Sequence, residues 1–277
     1  MNYKIVASDL DGTLLNSKHI ISQENLDAIK AMNDMGINFV VSTGRAYSEV
    51  MPELISSPYI RYYICSNGAI IYDKFTKSRT CFCMDRATSN RIFDILYDYD
   101  TQLTIRQDNA PHFEKGLDLE EIRKDYHIVP AHLEILQNIA IQHDDFKNFI
   151  YGLNNIEVLS AFFRNEEERI ECRKRLEADG SVRVVEGCPY NLEIMSIFAG
   201  KGIALNALAD MLQIPISQVI GVGDSDNDRT MIEAAGLGLA MENACTLLKD
   251  VADKIICHND DHAIKYILEN IIKKSAY

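Results

Sequence analysis

Two groups of acidic residues stand where this sequence could do chemistry. Asp9 and Asp11 follow a short β-prone run at 4–8, in the string Ser-Asp-Leu-Asp-Gly-Thr. Asp224, Asp226 and Asp228 follow a second apolar run at 219–222, in Gly-Asp-Ser-Asp-Asn-Asp. Asp9 and Asp11 are two apart, the spacing of one strand face, and Gly12 lets the chain turn away behind them. Asp224 and Asp228 are four apart, the spacing of one helix face. A lone Asp-x-Asp reads as a turn or a helix cap. Two acidic groups, each directly after an apolar strand, read as a metal site, because carboxylates in one cleft repel one another unless a cation sits among them. Hard oxygen ligands with room for water suit Mg2+ better than zinc or copper.

Two other positions add groups suited to phosphate. Ser42-Thr43-Gly44-Arg45 follows the apolar run 37–41. A hydroxyl with nearby backbone N–H groups makes a cradle for phosphate oxygens. Lys201, between Gly200 and Gly202, opens a helix pattern and has little steric cover, so it could reach a cleft as a point charge. Taken alone, it reads as a solvated lysine at a helix start.

The elements that must carry these residues alternate at both ends of the chain. After strand 4–8, Ser22 can cap a helix with Leu26, Ile29 and Met32 on one face and Gly36 at its stop. Strand 37–41, helix 47–55 and strand 62–66 follow, and Asn67-Gly68 turns the chain into a hairpin with 69–72. Between about 81 and 191 the texture is more polar, with helices expected at 88–99 and 166–179 and strands at 103–106, 157–163 and 181–185. The rhythm then returns: strand 192–195, helix 201–212, strand 219–222, helix 227–235, strand 237–241 and a last helix over 264–272. Alternation of this kind gives an α/β fold with a doubly wound parallel sheet, and ligand sites in such sheets lie at the carboxyl ends of the strands. The expected boundaries are 1–82 with 190–277 for this sheet and 83–189 for an inserted α/β domain.

Composition narrows the partners. The 277 residues carry a formal net charge of −13, which disfavours nucleic acid and anionic membrane. The first eleven residues lack a signal-peptide layout, and no apolar run approaches the roughly 20 residues of a membrane span. The seven cysteines are odd in number and hold no Cys-x-x-Cys, so free thiols in a cytoplasmic setting are expected, with Cys81 and Cys83 read as strand residues. Glutamates at 166–168 read as the solvated first turn of a helix.

Together, Asp-Leu-Asp-Gly-Thr at 9–13, Ser-Thr-Gly-Arg at 42–45, Lys201 and Gly-Asp-Ser-Asp-Asn-Asp at 223–228 resemble the haloacid dehalogenase-like (HAD) superfamily of phosphohydrolases. The resemblance covers nearly the whole chain. Asn67-Gly68-Ala69, Leu192-Glu193-Ile194 and the string from Ala240 to Ala244 resemble its Cof-type subfamily, which implies a Rossmann-like core with an inserted α/β cap of the C2B type. The resemblance implies a Mg2+-dependent phosphatase for a small phosphorylated metabolite. It makes Asp9 the nucleophile and Asp11 the general acid, then base, with a main-chain carbonyl on the metal. Thr43 and Lys201 would hold phosphoryl oxygens, with the backbone N–H groups of Leu10 and Gly44. Arg45 and Asn227 would join the phosphate or substrate contacts. Asp9, Asp11 and Asp224 would form the metal site, with Asp228 orienting metal waters or Lys201 from behind.

One string departs from the pattern. His262 stands where a glycine is expected in Cys257-His258-Asn259-Asp260-Asp261-His262, which puts that turn in question. His258 and His262 at i, i+4 read as surface residues, lacking the carboxylate motif of a metal pair. In the middle segment Arg106, His112, Lys115, Arg123 and His127 are cleft candidates that read more simply as solvated, and Gly187 and Pro189 suggest a hinge near 187–191, with another near 80–84. The nearest rival activity is a phosphomutase or phosphotransferase using the same aspartyl-phosphate. A receiver-type signalling domain would be much shorter, and an inactive binding protein would have a substituted catalytic position. The glycine-rich nucleotide motifs are not met.

Overall fold

The computed structural model describes residues 3–186 and 190–275. In chain order the first strands are β1 (Ile5–Ser8), β2 (Asn38–Ser42), β3 (Ile60–Cys65), β4 (Ile70–Asp73) and β5 (Ser78–Cys81). A second set follows: β6 (Thr101–Gln107), β7 (Ala110–Glu114), β8 (Ile141–His143), β9 (Val158–Phe163), β10 (Val182–Val185) and β11 (Asn191–Ser196). The last are β12 (Val219–Gly223), β13 (Leu237–Ala240) and β14 (Lys254–Ile255). They form an eight-stranded sheet ordered β14-β13-β12-β1-β2-β3-β4-β5 and a six-stranded sheet ordered β10-β11-β9-β6-β7-β8.

In the eight-stranded sheet, every pairing from β14 to β3 is parallel, and β4 returns antiparallel to β3. The chain runs outward from β1 to β3 on one side and from β12 to β14 on the other, so β1 and β12 flank the point where the winding reverses. The carboxyl ends of β1, β2 and β12 therefore share one edge of the sheet. β1 and β12 are buried throughout, as expected of parallel strands covered on both faces.

The six-stranded sheet is covered on both faces too. Leu159, Ala161 and Phe163 of β9 pack with Phe93, Ile150 and Leu176 from helices Arg86–Leu96, Phe146–Gly152 and Glu166–Asp179. Phe162, pointing the other way, joins Ile122 and Leu136 from helices Leu119–Asp125 and Pro130–Asn138. An antiparallel strand buried on both sides loses its apolar–polar alternation, which is why β9 is apolar at every position but Ser160.

The chain divides into two compact units. One runs to Gly44 and resumes over Val50–Thr80 and from Gly200 onward; the other comprises Arg45–Glu49 and Cys81–Ala199. The strand expected at 192–195 in the parallel sheet pairs antiparallel with β9 and β10 in the other sheet, so the expected boundary at 190 moves to 199/200. Strand propensity is local, whereas the pairing partner is not. The helix expected over 47–55 is also two pieces, a 3-10 turn at Tyr47–Glu49 and a helix at Pro52–Ser56. Pro52 has no N–H to continue a helix but is at home in the first turn of a new one.

Ser22 caps helix Gln23–Asp34 as expected, its hydroxyl accepting the Asn25 N–H at 3.2 Å. His262 forms the turn expected of glycine, at φ +58°, with its ring bonded to the Ser22 hydroxyl at 2.9 Å. Gly187 and Pro189, on which one expected hinge rests, lie outside the described residues, as does Cys188. Among the described residues no helix is long and apolar enough to cross a membrane.

Candidate active site

β1 delivers Asp9 to the site and stops one residue before it, at Ser8. The chain then makes one wide turn, Leu10–Leu14, interrupted by extended Asp11 (φ −74°, ψ 122°) and by Gly12 at φ +77°. Asp9 and Asp11 therefore do not share a strand face. Asp9 is buried, whereas the Asp11 side chain is 45% exposed, with Oδ1 3.9 Å from Nδ1 of His19. Only glycine fits at position 12: the backbone is left-handed, and a Cβ there would stand 2.4 Å from Oδ2 of Asp224.

β12 ends in the second acidic group. One oxygen of Asp228 accepts the backbone N–H groups of Asp224 at 3.0 Å and Ser225 at 3.1 Å, closing a tight turn. Its other oxygen accepts Lys201 Nζ at 2.5 Å, and the same ammonium donates to Oδ1 of Asp9 at 2.7 Å. The hydroxyl of Thr13 donates to Oδ1 of Asp224 at 3.2 Å. Lys201 is wholly buried, not solvated at its helix start.

These groups are out of electrostatic balance. Burial pushes the Asp9 carboxyl well above its ordinary range, and the nearby Asp228 and Asp224 add to the effect against the opposing pull of Lys201. Asp224 is raised to about 6, again by burial first and Asp228 second, with Thr13 and Lys201 opposing. Lys201 is held charged: burial disfavours its ammonium, but Asp228 and Asp9 outweigh that. Ligand oxygens of Asp9, Asp224 and Asp228 lie within 4.8 Å of one another, the one such group among the described residues. Both Asp228 oxygens are engaged by donors, so Asp9 and Asp224 are the carboxylates better placed to ligate directly. A hard oxygen donor set with raised carboxyls fits a divalent cation, which would relieve the repulsion. Asp11, expected to reach the metal through its main-chain carbonyl, contributes no carboxylate to this group.

The other expected residues divide. Thr43, at the end of β2, is buried; its N–H donates to the Ile64 carbonyl at 2.8 Å and its carbonyl accepts the Asn67 N–H at 3.1 Å. Gly44 abuts Asn67. Leu10 is buried, its carbonyl accepting the Leu15 N–H at 2.9 Å. Asn227 Nδ2 donates to Oδ1 of Asn67 at 3.1 Å, and its own Oδ1 accepts the Ser225 hydroxyl at 2.8 Å. Arg45 belongs to the other unit, where its guanidinium donates to the Glu49 carbonyl at 3.1 Å. Sequence reasoning gave no part in the site to Asn67, read as a hairpin turn, to Thr13, or to Asn243, whose Nδ2 donates to the Gly12 carbonyl at 2.8 Å. Their signal was the residue type, a short polar side chain beside each motif, which does not distinguish a partner from a surface residue.

In the six-stranded unit two expected surface residues are buried. Arg106, on central β6, donates to both oxygens of Glu49 at 3.0 and 3.3 Å and to Glu193 at 3.3 Å. His112 pairs with His143 at 2.9 Å. Lys115 and Arg123 are exposed and paired with Asp144 and Glu120. His127 Nε2 donates to the Arg164 carbonyl at 3.2 Å and stacks on Tyr190. His258 lies 3.6 Å from Asp260 and His262 3.8 Å from Glu24.

A family model described as haloacid dehalogenase-like hydrolase matches residues 6–268. The chain belongs to that family. Members of the HAD family similar to it include Phosphatase YwpJ of Bacillus subtilis, 33% identical over 97% of this chain and 100% of that protein. Another B. subtilis relative, 5-amino-6-(5-phospho-D-ribitylamino)uracil phosphatase YwtE, is 30% identical over 97% of this chain and 98% of its own. A solved HAD-like hydrolase from B. subtilis superposes with a TM-score of 0.81 at 29% identity, covering 97% of this chain and 99% of that one. This HAD protein is accordingly an enzyme of the phosphatase class, and its acidic cluster accords with the divalent metal that phosphatases of the superfamily generally use.

Proposed function

We propose that this enzyme is a Mg2+-dependent phosphatase that hydrolyses small phosphomonoesters through an aspartyl-phosphate on Asp9. The observation that carries the reading is the buried Lys201 ammonium, shared between Asp9 and Asp228 beside Asp224. An attacking carboxylate and a phosphate dianion repel each other, so the site must bring positive charge to both. Lys201 supplies one such charge. Bound Mg2+, held by Asp9, Asp224 and the Asp11 carbonyl, would supply a Lewis acid that neutralises charge on the phosphoryl oxygens.

In the first step an Asp9 oxygen forms a bond to phosphorus as the ester oxygen leaves and takes a proton from Asp11. In the second, water attacks the acyl phosphate, gives its proton to Asp11, and releases orthophosphate and free Asp9. The half-exposed Asp11 suits both proton transfers, because it can meet the leaving group and solvent water. Thr43, Lys201 and the N–H groups of Leu10 and Gly44 hold the phosphoryl oxygens, with Asn227 and Arg45 as further phosphate or substrate contacts.

The unit built on the parallel sheet is the catalytic core, and the unit built on the six-stranded sheet is the C2B-type cap that selects the leaving group. Among the similar phosphatases is one named for a phosphoribitylamino compound. That supports a phosphorylated sugar, polyol or cofactor as substrate, in the cytoplasm, with no nucleic acid or membrane partner.

Phosphate release from a panel of small phosphomonoesters, with Mg2+ and with chelator, tests the reading. Wild type is expected to act on several members only with Mg2+, and Asp9→Asn should lose at least about a thousandfold in kcat. Release by Asp9→Asn at the wild-type rate would overturn it, and transfer to an added alcohol without free phosphate would move it to a phosphomutase.

A further inference from the structure

The turn between β3 and β4 has three successive residues in left-handed backbone, Ser66, Asn67 and Gly68, at φ +52°, +53° and +89°. Ser66 and Asn67 are also buried. Such conformations persist where the surroundings over-determine them, and they cluster at functional sites. This turn reaches three motifs of the catalytic unit. The Asn67 N–H donates to the Thr43 carbonyl, and its Oδ1 accepts the Asn227 amide. A Cβ on Gly44 would lie 2.9 Å from that same Oδ1. A Cβ on Gly68 would lie 2.3 Å from the Gly200 carbonyl oxygen and 2.7 Å from the Lys201 nitrogen, so the turn packs directly on the backbone that presents Lys201.

We infer that Asn67 is a positioning residue for phosphoryl transfer. Its amide holds Asn227 and the Thr43–Gly44 strand end at one spacing, while Gly68 lets the Lys201 helix start close against them. Asn67 acts through these neighbours and not on the reacting atoms. Asparagine suits the place twice over: it tolerates left-handed backbone, and its short amide can accept from Asn227. The inference deepens the proposed phosphatase reading and rests on it.

Asn67→Gly separates positioning from folding, because glycine keeps the left-handed backbone while the amide is lost. The expected result is a melting temperature near wild type, a kcat lower by about 10- to 100-fold, and a KM changed by less than about threefold. Binding of orthovanadate, a mimic of the five-coordinate phosphoryl group, should weaken by the same factor as kcat. Asn227→Ala should show part of the loss, and the double variant should fall short of the product of the two, as expected of residues acting as one unit. Asn67→Asp, which keeps the acceptor and the backbone preference, should recover part of the activity. A kcat and vanadate affinity unchanged in folded Asn67→Gly would overturn the inference, as would losses in the two single variants that multiply.

Wild-type turnover separates this from a failure of the proposed function. If wild type turns over no ester but binds orthophosphate with Mg2+, the phosphatase reading falls and the binding ratio of Asn67→Gly to wild type decides the positioning role. If wild type binds no orthophosphate, both fall.

Discussion

Lys201 in one unit and Arg106 in the other are each buried among carboxylates, and the two arrangements differ in what they leave unbalanced. Lys201 sits between Asp9 and Asp228 with Asp224 close by, one cation against three carboxylates. Arg106 sits between Glu49 and Glu193, one cation against two. Arginine presents a planar fork that matches a carboxylate at two points, and Glu49, with no exposed side-chain surface, takes both bonds. Nearby His132 is pushed down to about 3 by burial and then by Arg106, so it adds no charge at neutral pH. Lysine is a point charge that can be shared, and Lys201 is shared. Its cluster leaves Asp9 and Asp224 as strained acids that a further cation would settle. Buried ion pairs occur in architecture and in catalysis alike; the unrelieved carboxylates are what favour the Lys201 cluster for the proposed chemistry.

The largest expected effect comes from removing the two cations in turn. Lys201→Met and Arg106→Met should each destabilise by about 3–5 kcal/mol at pH 7.5, since each strands buried carboxylates. Their activities should part. Lys201→Met should lose at least about a thousandfold in phosphate release per folded molecule, whereas Arg106→Met should stay within a few-fold on a small aryl phosphate. Chemical denaturation and active-site-normalised kinetics check both, and equal activity losses would erase the distinction.

Metal addition should separate the clusters next. Asp224 has a folded pKa near 6, above its unfolded value near 4, so folding favours its protonated form. That contribution is complete below the unfolded value and is lost as pH rises through about 6. The proposed Mg2+ would bind the ionised carboxylates, so its stabilisation should be small at pH 5 and grow through pH 6 to 8, reaching about 2.7 kcal/mol at a hundred times Kd. Thermal melts with Mg2+ and with chelator across that range test this. In Lys201→Met the pH dependence should persist in altered form, and in Arg106→Met it should be unchanged. A Mg2+ shift equal at pH 5 and pH 8 would contradict the assignment.

The smallest effect lies within the arginine cluster. Glu49→Gln, at the two-point contact, should cost about 3 kcal/mol. Glu193→Gln should cost under about 1 kcal/mol, because that side chain is 16% exposed and its contact to Arg106 is 3.3 Å long. Urea titration of both variants measures the gap, and equal losses would mean that the cluster behaves as one undivided network.

The fold was readable where elements are long or repeat a strong pattern. Helix Glu166–Asp179 carries its own start in the Asn165 cap and the glutamates after it, and it lies where expected. The stretch from Ala110 to Gly152 was mostly unread. Its helices are seven to nine residues long, and its edge strand β8 has three residues, two of them exposed. Segments so short have little periodicity to detect. The clustering of acidic residues was legible because Asp9 and Asp224 directly follow apolar runs. The burial of Lys201 and Arg106 was not, since a charged residue shows its partner only once both are folded together.

What the sequence alone determined is local. Apolar runs made β1, β2 and β12, and parallel winding brings the ends of such strands to one edge, so the residues that follow them meet. Tertiary structure decided whatever depends on a partner far along the chain. It put strand 191–196 in the second sheet and seated Lys201 between residues 192 and 27 positions away. It also packed the Asn67 turn against Gly44, Asn227 and the Lys201 helix. Hydrogen bonds and ion pairs in a dry interior are set by which groups are brought together, and no window of neighbouring residues contains that information.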